Sequence, residues 1–133
     1  ICLHNKENKD LENIGIPVWS ELNNKQWMGS LAAVDYVISV DTASFHFSGG
    51  IGKPLIGIFG PTDGKVIGKH YEFILIQRHR DEGDWECGPC YDWFSCPKTK
   101  NAIKPCMKEI NDEKLINSID VILEKYPIKY SNN

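Results

Sequence analysis

Several features that would assign a chain to a common class are missing from this sequence. Its Lys and Arg residues are scattered and its net charge is -3, so no basic stripe predicts nucleic-acid binding. No apolar run approaches the ~20 residues that span a bilayer, and no charged-then-apolar leader of the secretory type is visible. We therefore expect a soluble chain with no transmembrane segment and no nucleic-acid partner.

Two short apolar runs, separated by a helical segment, stand out in the middle of the chain. Tyr36–Val40 and Leu55–Phe59 each have the length and composition of a buried strand. Between them, Asp41-Thr42 is a good helix start and Gly52-Lys53-Pro54 is a helix stop. The pattern predicts a βαβ unit with parallel strands, because such crossovers are right-handed in nearly all proteins.

The carboxyl ends of these two strands are expected to open on one edge of the sheet. Asp41-Thr42-Ala43 follows the first strand and Gly60-Pro61-Thr62 follows the second, so two loops converge there. The N–H groups and the positive dipole end of the intervening helix suit a phosphate. His46 lies one helical turn after Thr42 and would reach the same crevice. A capped helix with a structural histidine is the alternative interpretation.

Further apolar runs predict strands at Ile1–Leu3, Ile16–Trp19 and Phe73–Gln77. Asn23 or Asn24 is expected to cap one helix, and Asn111 to cap the last one. The buried face of the last helix is expected to contain Leu115, Ile119, Ile122 and Leu123. We predict one α/β domain, with a Rossmann-like, mainly parallel sheet flanked by helices.

Three other positions near predicted strand ends are candidate ligand contacts. Glu7 lies where dinucleotide folds often hold ribose hydroxyls, although a solvated surface glutamate is the alternative. Leu22 ends the link Trp19–Leu22, which is either a wall beside a nucleobase or simply core. Lys65 lies in the cationic segment Asp63–His70, which would neutralise a diphosphate or, alternatively, form a solvated loop.

The segment 85–106 contains all but one of the five cysteines: Cys87, Cys90, Cys96 and Cys106. Four thiols would hold zinc tetrahedrally, although the usual sign is two close pairs. Cys87-Gly88-Pro89-Cys90 is also the dithiol motif of thioredoxin, but there Trp directly precedes the first Cys, and here Glu86 intervenes. Reduced structural thiols and disulfides are the other interpretations. The fifth cysteine, Cys2, lies outside this segment and is expected to be buried in the core.

Three sequence blocks together carry a family signature: Asp41-Thr42-Ala43-x-x-His46, Ile51-Gly52-Lys53-Pro54 and Phe59-Gly60-Pro61-Thr62-Asp63. With their spacing, they resemble the family 9 glycosyltransferases, the bacterial ADP-heptose:lipopolysaccharide heptosyltransferases. The likeness extends from about Trp19 to Cys106-Met107. The family more often has Gly where Ala43 stands, which alters how closely the backbone approaches a donor.

The resemblance implies the donor-binding, C-terminal half of a GT-B enzyme, which has two Rossmann-like domains. The chain begins at Ile1 rather than Met, so we expect residues 1–133 to be a single nucleotide-sugar-binding domain from a larger protein, with 85–106 as a cysteine-rich excursion. The implied reaction transfers heptose from ADP-heptose to a lipopolysaccharide-core acceptor, in the cytoplasm or peripherally at the inner membrane. The missing domain would hold the acceptor and supply the general base. We therefore expect this fragment alone to bind the donor but to catalyse no transfer.

The resemblance also assigns roles to the candidate site residues. The implied donor contacts are Asp41, Thr42, Ala43, His46, Gly60, Pro61, Thr62 and Lys65, with Glu7 and Leu22 on the nucleoside side. His46 would have a supporting catalytic role, and Asp41, which repels phosphate, would cap the helix or hold a sugar hydroxyl. Such transfer requires no metal if a helix dipole and cations stabilise the leaving diphosphate.

Zinc is therefore a candidate only for the clustered cysteines. Two alternative functions come from other classes of protein. One is a thiol-disulfide oxidoreductase that uses Cys87 and Cys90, and the other is a non-catalytic, zinc-stabilised interaction module.

Overall fold

The computed structural model describes residues 1–4, 6–78, 88–92, 95–96, 98–99 and 104–128. The chain forms two compact units, Ile1–Val34 and Asp35–Asn133. Each unit contains a parallel sheet and helices, so the predicted α/β class is confirmed. Within the described ranges, no helix is long and apolar enough to cross a bilayer.

The first unit contains, in chain order, β1 (Cys2–Leu3), α1 (Lys9–Asn13), β2 (Val18–Trp19) and α2 (Asn24–Ala33). Its two strands pair in parallel and are shorter than the apolar runs that predicted them. The Asn23 side chain accepts from the Gln26 N–H, and the Gln26 side chain accepts from the Asn23 N–H, both at 3.0 Å. This capping box confirms that Asn23 starts α2. Cys2 is only partly buried, since a two-stranded sheet covers little surface.

The second unit contains, in chain order, β3 (Val37–Val40), α3 (Ala43–Gly50), β4 (Leu55–Phe59), α4 (Gly64–Ile67), β5 (Ile74–Gln77), α5 (Pro105–Lys108) and α6 (Asp112–Lys125). The strands lie in the order β3–β4–β5 and pair in parallel, which confirms the predicted βαβ unit. Asn111 caps α6 as predicted. Because the strands are parallel, all three end on one edge of the sheet.

A cluster of aromatic rings fixes α3 against β4. Phe45 of α3 is 0 % exposed and meets Phe59 and Phe73 edge to face, with ring centroids 5.0 Å apart in each pair. Edge-to-face rings at this distance attract each other beyond the burial of their area. The start of α3, where the predicted anion site lies, is therefore held in place by the core.

The last helix packs its apolar face on the same sheet. Ile122 forms a core cluster with Ile56 of β4 and Ile76 of β5. Leu123, expected on the buried face, is 41 % exposed, so that assignment is wrong, whereas Ser118 is buried. Residues four apart on a helix share a face, which places Ser118 above Ile122, while Leu123 points about 100° away.

Candidate functional site

The loops that follow β3 and β4 meet at the carboxyl edge of the second unit's sheet. The Thr62 hydroxyl donates a hydrogen bond to Oδ2 of Asp41, at 2.8 Å. Asp41 comes directly after β3, and its side chain is 17 % exposed, whereas Thr62 is buried. The structure thus brings together the two loops that the sequence places at one edge.

His46 lies beside Asp41 in α3. Its Nε2 atom is 3.6 Å from Oδ1 of Asp41, and its side chain is 45 % exposed. Its Nδ1 atom is 3.4 Å from the hydroxyl of Tyr71. With the ring proton on Nε2, the imidazole directs an N–H at the carboxylate and accepts from the Tyr71 hydroxyl, so each ring nitrogen faces a partner. We call Asp41, His46, Thr62 and Tyr71 the edge cluster.

Tyr71 is the member of the edge cluster that sequence reasoning missed. It precedes β5, and its ring packs edge to face on Phe45 and on His46, with centroids 5.8 and 6.0 Å away. Its hydroxyl meets a residue 25 positions earlier in the chain. An aromatic residue just before a strand usually belongs to the core, so its position alone gives no signal for a site.

Thr42 is the N-cap residue of α3, and the capping role predicted for Asp41 is wrong. The carboxylate of Asp41 instead accepts from Thr62, and the hydroxyl of Thr42 lies 3.2 Å from Oγ of Ser39. Both Thr42 and Ala43 are exposed. Since the first N–H groups of a helix have no acceptor within it, the start of α3 retains the donors that suit an anion.

The loop after β4 is covered by other parts of the second unit. Gly60, Pro61 and Thr62 are all buried. A Cβ at Gly60 would lie 2.4 Å from Sδ of Met107 in α5, and the Pro61 carbonyl accepts from the Tyr91 N–H at 2.9 Å. The three predicted donor contacts in this loop therefore shape the edge from within the fold, and the Thr62 hydroxyl is engaged with the carboxylate of the edge cluster.

Lys65 is exposed in the first turn of α4. Asp63 caps this helix and accepts from the backbone N–H of Lys65 at 3.0 Å and of Val66 at 3.4 Å. The cap fixes the backbone of Lys65 just after the loop that contains Thr62. Its ammonium group extends from that fixed point toward solvent.

Three of the four clustered cysteines are described, and Cys87 lies outside the described residues. Cys90, Cys96 and Cys106 line a cavity of about 10 Å³ beside the loop after β4. This is about the space of one water molecule. Among the described residues, no three His, Cys, Asp or Glu side chains are grouped to hold a metal. Because Cys87 is not described, the zinc, disulfide and dithiol hypotheses stay predictions.

Cys96 has the most distinctive surroundings of these thiols. Hydrogen bonds from Thr99, first from its hydroxyl and then from its backbone, hold the pKa of the Cys96 thiol below its ordinary value. The backbone of Lys98 and the charge of Lys104 act in the same direction, and burial of the thiol opposes them. A lowered pKa increases the thiolate fraction at neutral pH.

A cleft of about 310 Å³ lies within the first unit. Its walls are formed by Leu3, His4, Trp19, Glu21, Leu22 and Trp27. Two indoles and two leucines give apolar walls that suit an aromatic ring. Leu22, predicted beside a nucleobase, therefore lies in the wall of a cleft, whereas Glu7 is exposed and lies outside this set of lining residues.

One family model matches residues 4–82, that of glycosyltransferase family 9 (heptosyltransferase). The match covers more than half of the chain and contains the whole edge cluster. The chain belongs to glycosyltransferase family 9. Its parallel α/β architecture is consistent with one Rossmann-like half of a GT-B enzyme. No curated protein and no solved structure matches it.

Family membership confirms the resemblance seen in the sequence blocks and makes the chain a glycosyltransferase. The matched range also contains Glu7, Leu22 and Lys65. It ends before Cys87, so the clustered cysteines contribute nothing to the match.

Proposed function

We propose that this glycosyltransferase binds an ADP-sugar, with the donor diphosphate at the edge cluster, and serves the transfer of heptose to a lipopolysaccharide-core acceptor. The observation that carries the proposal is the hydrogen bond from Thr62 to Asp41, because it joins two strand-end loops beside the start of α3. The description of the family as heptosyltransferases supports heptose as the sugar. A nucleotide-sugar donor also favours a cytoplasmic location.

Three groups of the second unit are suited to the charge of the diphosphate. The start of α3 offers N–H groups and a partial positive charge. His46 is 45 % exposed, and its Nε2 lies 3.6 Å from Asp41, beyond hydrogen-bond distance, so in this proposal the Nε2–H donates to the diphosphate. Lys65 is exposed and offers a full charge. Negative charge develops on the diphosphate as its bond to the sugar breaks, so donors placed there lower the barrier. In this proposal the reaction requires no metal.

Asp41 has a different role in the proposal, because its charge repels a phosphate. Its carboxylate accepts from Thr62 and lies beside the imidazole of His46. We assign it two tasks, which are to orient His46 and to accept a hydrogen bond from a hydroxyl of the sugar. An inverting transfer also requires a general base at the acceptor hydroxyl, and we place that base outside these residues.

Considered by itself, the cleft of the first unit has walls that suit a nucleobase. Leu22 and the indoles of Trp19 and Trp27 line it, and an aromatic base that stacks on an indole gains about 1–3 kcal/mol. Glu7 of the same unit is exposed, and in this proposal it accepts from ribose hydroxyls. Trp27→Ala should therefore weaken the binding of adenosine to this cleft.

Calorimetric titration with ADP is the direct test of the proposed function. We expect one ADP per chain, competition by inorganic diphosphate, and weaker binding of AMP, which lacks the second phosphate. Binding that stays undetectable at millimolar ADP would refute donor binding. Equal affinities for ADP and AMP would refute the placement of the diphosphate.

Lys65→Met should weaken ADP binding about two- to fivefold, because an exposed cation contributes about 1 kcal/mol or less. The loss should shrink as salt is added, since salt screens charges near the surface. Lys69→Met removes a second exposed cation and is the matched control. Calorimetry at two salt concentrations gives the comparison, and equal losses in both variants would show a general charge effect rather than a contact from Lys65.

A further inference from the structure

Gln77 is a buried polar residue with no role so far in the proposed site. It is the last residue of β5, lies opposite Phe59 at the end of β4, and is 0 % exposed. Buried polar side chains are nearly always hydrogen-bonded, and the groups that they bond indicate what they hold in place.

The amide of Gln77 bridges the loop that follows β4. Its Nε2 donates to the carbonyl oxygen of Gly60, at 3.4 Å, and to the carbonyl oxygen of Thr62. Its Oε1 accepts from the N–H of Gly64, at 3.2 Å. A neutral amide supplies two donors and an acceptor, a combination that neither a carboxylate nor a hydrocarbon provides. One side chain therefore fixes the backbone on both sides of the loop.

This loop contains the threonine that holds the carboxylate of the edge cluster. The Thr62 hydroxyl donates to Asp41 at 2.8 Å, and the carbonyl oxygen of the same residue accepts from the amide of Gln77. A released Asp41 would no longer keep its place beside His46. Since Gln77 is fully buried, it can influence a ligand only through these residues.

We propose that Gln77 is a positioning residue for the donor diphosphate, acting on Asp41 through the backbone of Thr62. The proposal rests on the proposed function, since it names a residue that prepares the same site. With or without a ligand, the amide of Gln77 should fix the backbone between Gly60 and Gly64.

Gln77→Glu tests this with almost no change in volume. A buried carboxyl favours its protonated form, which has one O–H donor in place of two N–H donors, and the ionised form has none. In neither form can the side chain donate to the carbonyl oxygens of both Gly60 and Thr62. We expect the affinity for ADP to fall about tenfold or more, with one site per chain retained. Gln26→Glu makes the same change at the exposed capping position of α2 and should bind ADP like the wild type, because glutamate serves a capping box equally well.

Two readouts separate positioning from a loss of stability. The NMR amide signals of Thr62 and Gly64 should shift and the Gly64 amide should exchange faster, while amides within the β3–β4 ladder keep their protection. A variant that is merely less stable binds ADP with the wild-type dissociation constant wherever it is folded. Gln77→Asn is the second variant, for use if Gln77→Glu does not fold. It keeps the amide but on a shorter side chain, so it should also weaken ADP binding.

Wild-type affinity for ADP in a folded Gln77→Glu or Gln77→Asn chain would overturn the proposal, as would failure of both variants to fold. If the wild-type chain itself binds no ADP, the proposed function fails, and the NMR signals still decide the claim about the loop. If the amide signals of Thr62 and Gly64 do not shift in Gln77→Glu, the amide of Gln77 does not hold the loop after β4.

Discussion

Gly57→Ala should destabilise the second unit by about 3 kcal/mol, near the upper end of the usual cost of overpacking a core. Gly57 lies in β4, and a Cβ there would be 2.7 Å from Phe45, 2.8 Å from Phe59 and 2.9 Å from Phe73. All three contacts are with ring atoms, and Phe45 and Phe59 are 0 % exposed, so these two rings cannot swing aside into solvent. Urea denaturation followed by circular dichroism measures the free energy of unfolding.

Gly50→Ala is the matched control for this change. Gly50 is the last residue of α3, and among the described residues nothing lies within 4 Å of a Cβ there. Its replacement should be neutral or stabilising by up to about 1 kcal/mol, because alanine favours the helix. Phe73→Leu removes one of the ring contacts and should recover part of the loss in the Gly57→Ala background. Equal unfolding free energies for Gly57→Ala and Gly50→Ala would contradict the packing described around β4.

The βαβ unit is predictable from the sequence because each of its signals is local. The run Leu55–Phe59 is apolar throughout, as a central strand with both faces covered requires, and it forms β4 with those bounds. The turn at Gly52, with φ of 71°, adopts the left-handed conformation that glycine allows, so the helix stop is also local. The caps Asn23 and Asn111 act within one helical turn of their own positions.

The partners inside the site are not predictable in the same way, because they are distant in the chain. Thr62 meets Asp41 across 21 positions, and Gln77 meets Thr62 across 15. In the sequence, Gln77 is simply a polar residue at the end of a predicted strand. Only the packing of β5 beside β4 places its amide next to the loop that follows β4. Sequence patterns locate the edge where a ligand binds, whereas tertiary packing decides which side chains reach each other there.

His46→Ala should weaken ADP binding about 10- to 100-fold. A hydrogen bond from an imidazole to a charged phosphate contributes about 1.5–3 kcal/mol, and the variant loses it entirely. It also leaves the carboxylate of Asp41, which lies 3.6 Å from the imidazole, without this neighbour. Calorimetry with ADP measures the loss, and wild-type affinity in the variant would remove His46 from the site.

Two control variants show which part of the imidazole's environment matters. His70→Ala removes the same group from an exposed position between α4 and β5 and should leave the affinity for ADP unchanged. Tyr71→Phe keeps the ring that packs on Phe45 and removes only the hydroxyl that lies 3.4 Å from Nδ1 of His46. We expect it to cost about three- to tenfold, because a hydrogen bond between neutral groups contributes about 0.5–1.5 kcal/mol.

The sign of the contribution from Asp41 provides the strictest check of these roles. With His46 present, Asp41→Asn should weaken ADP binding, because the carboxylate that orients the imidazole is lost. In the His46→Ala background, the carboxylate only repels the diphosphate, so the same change should recover about threefold or more of the lost affinity. A double-mutant cycle on the four chains isolates this coupling. If Asp41→Asn instead tightens binding equally in both backgrounds, Asp41 acts only as a repulsive charge and does not orient His46.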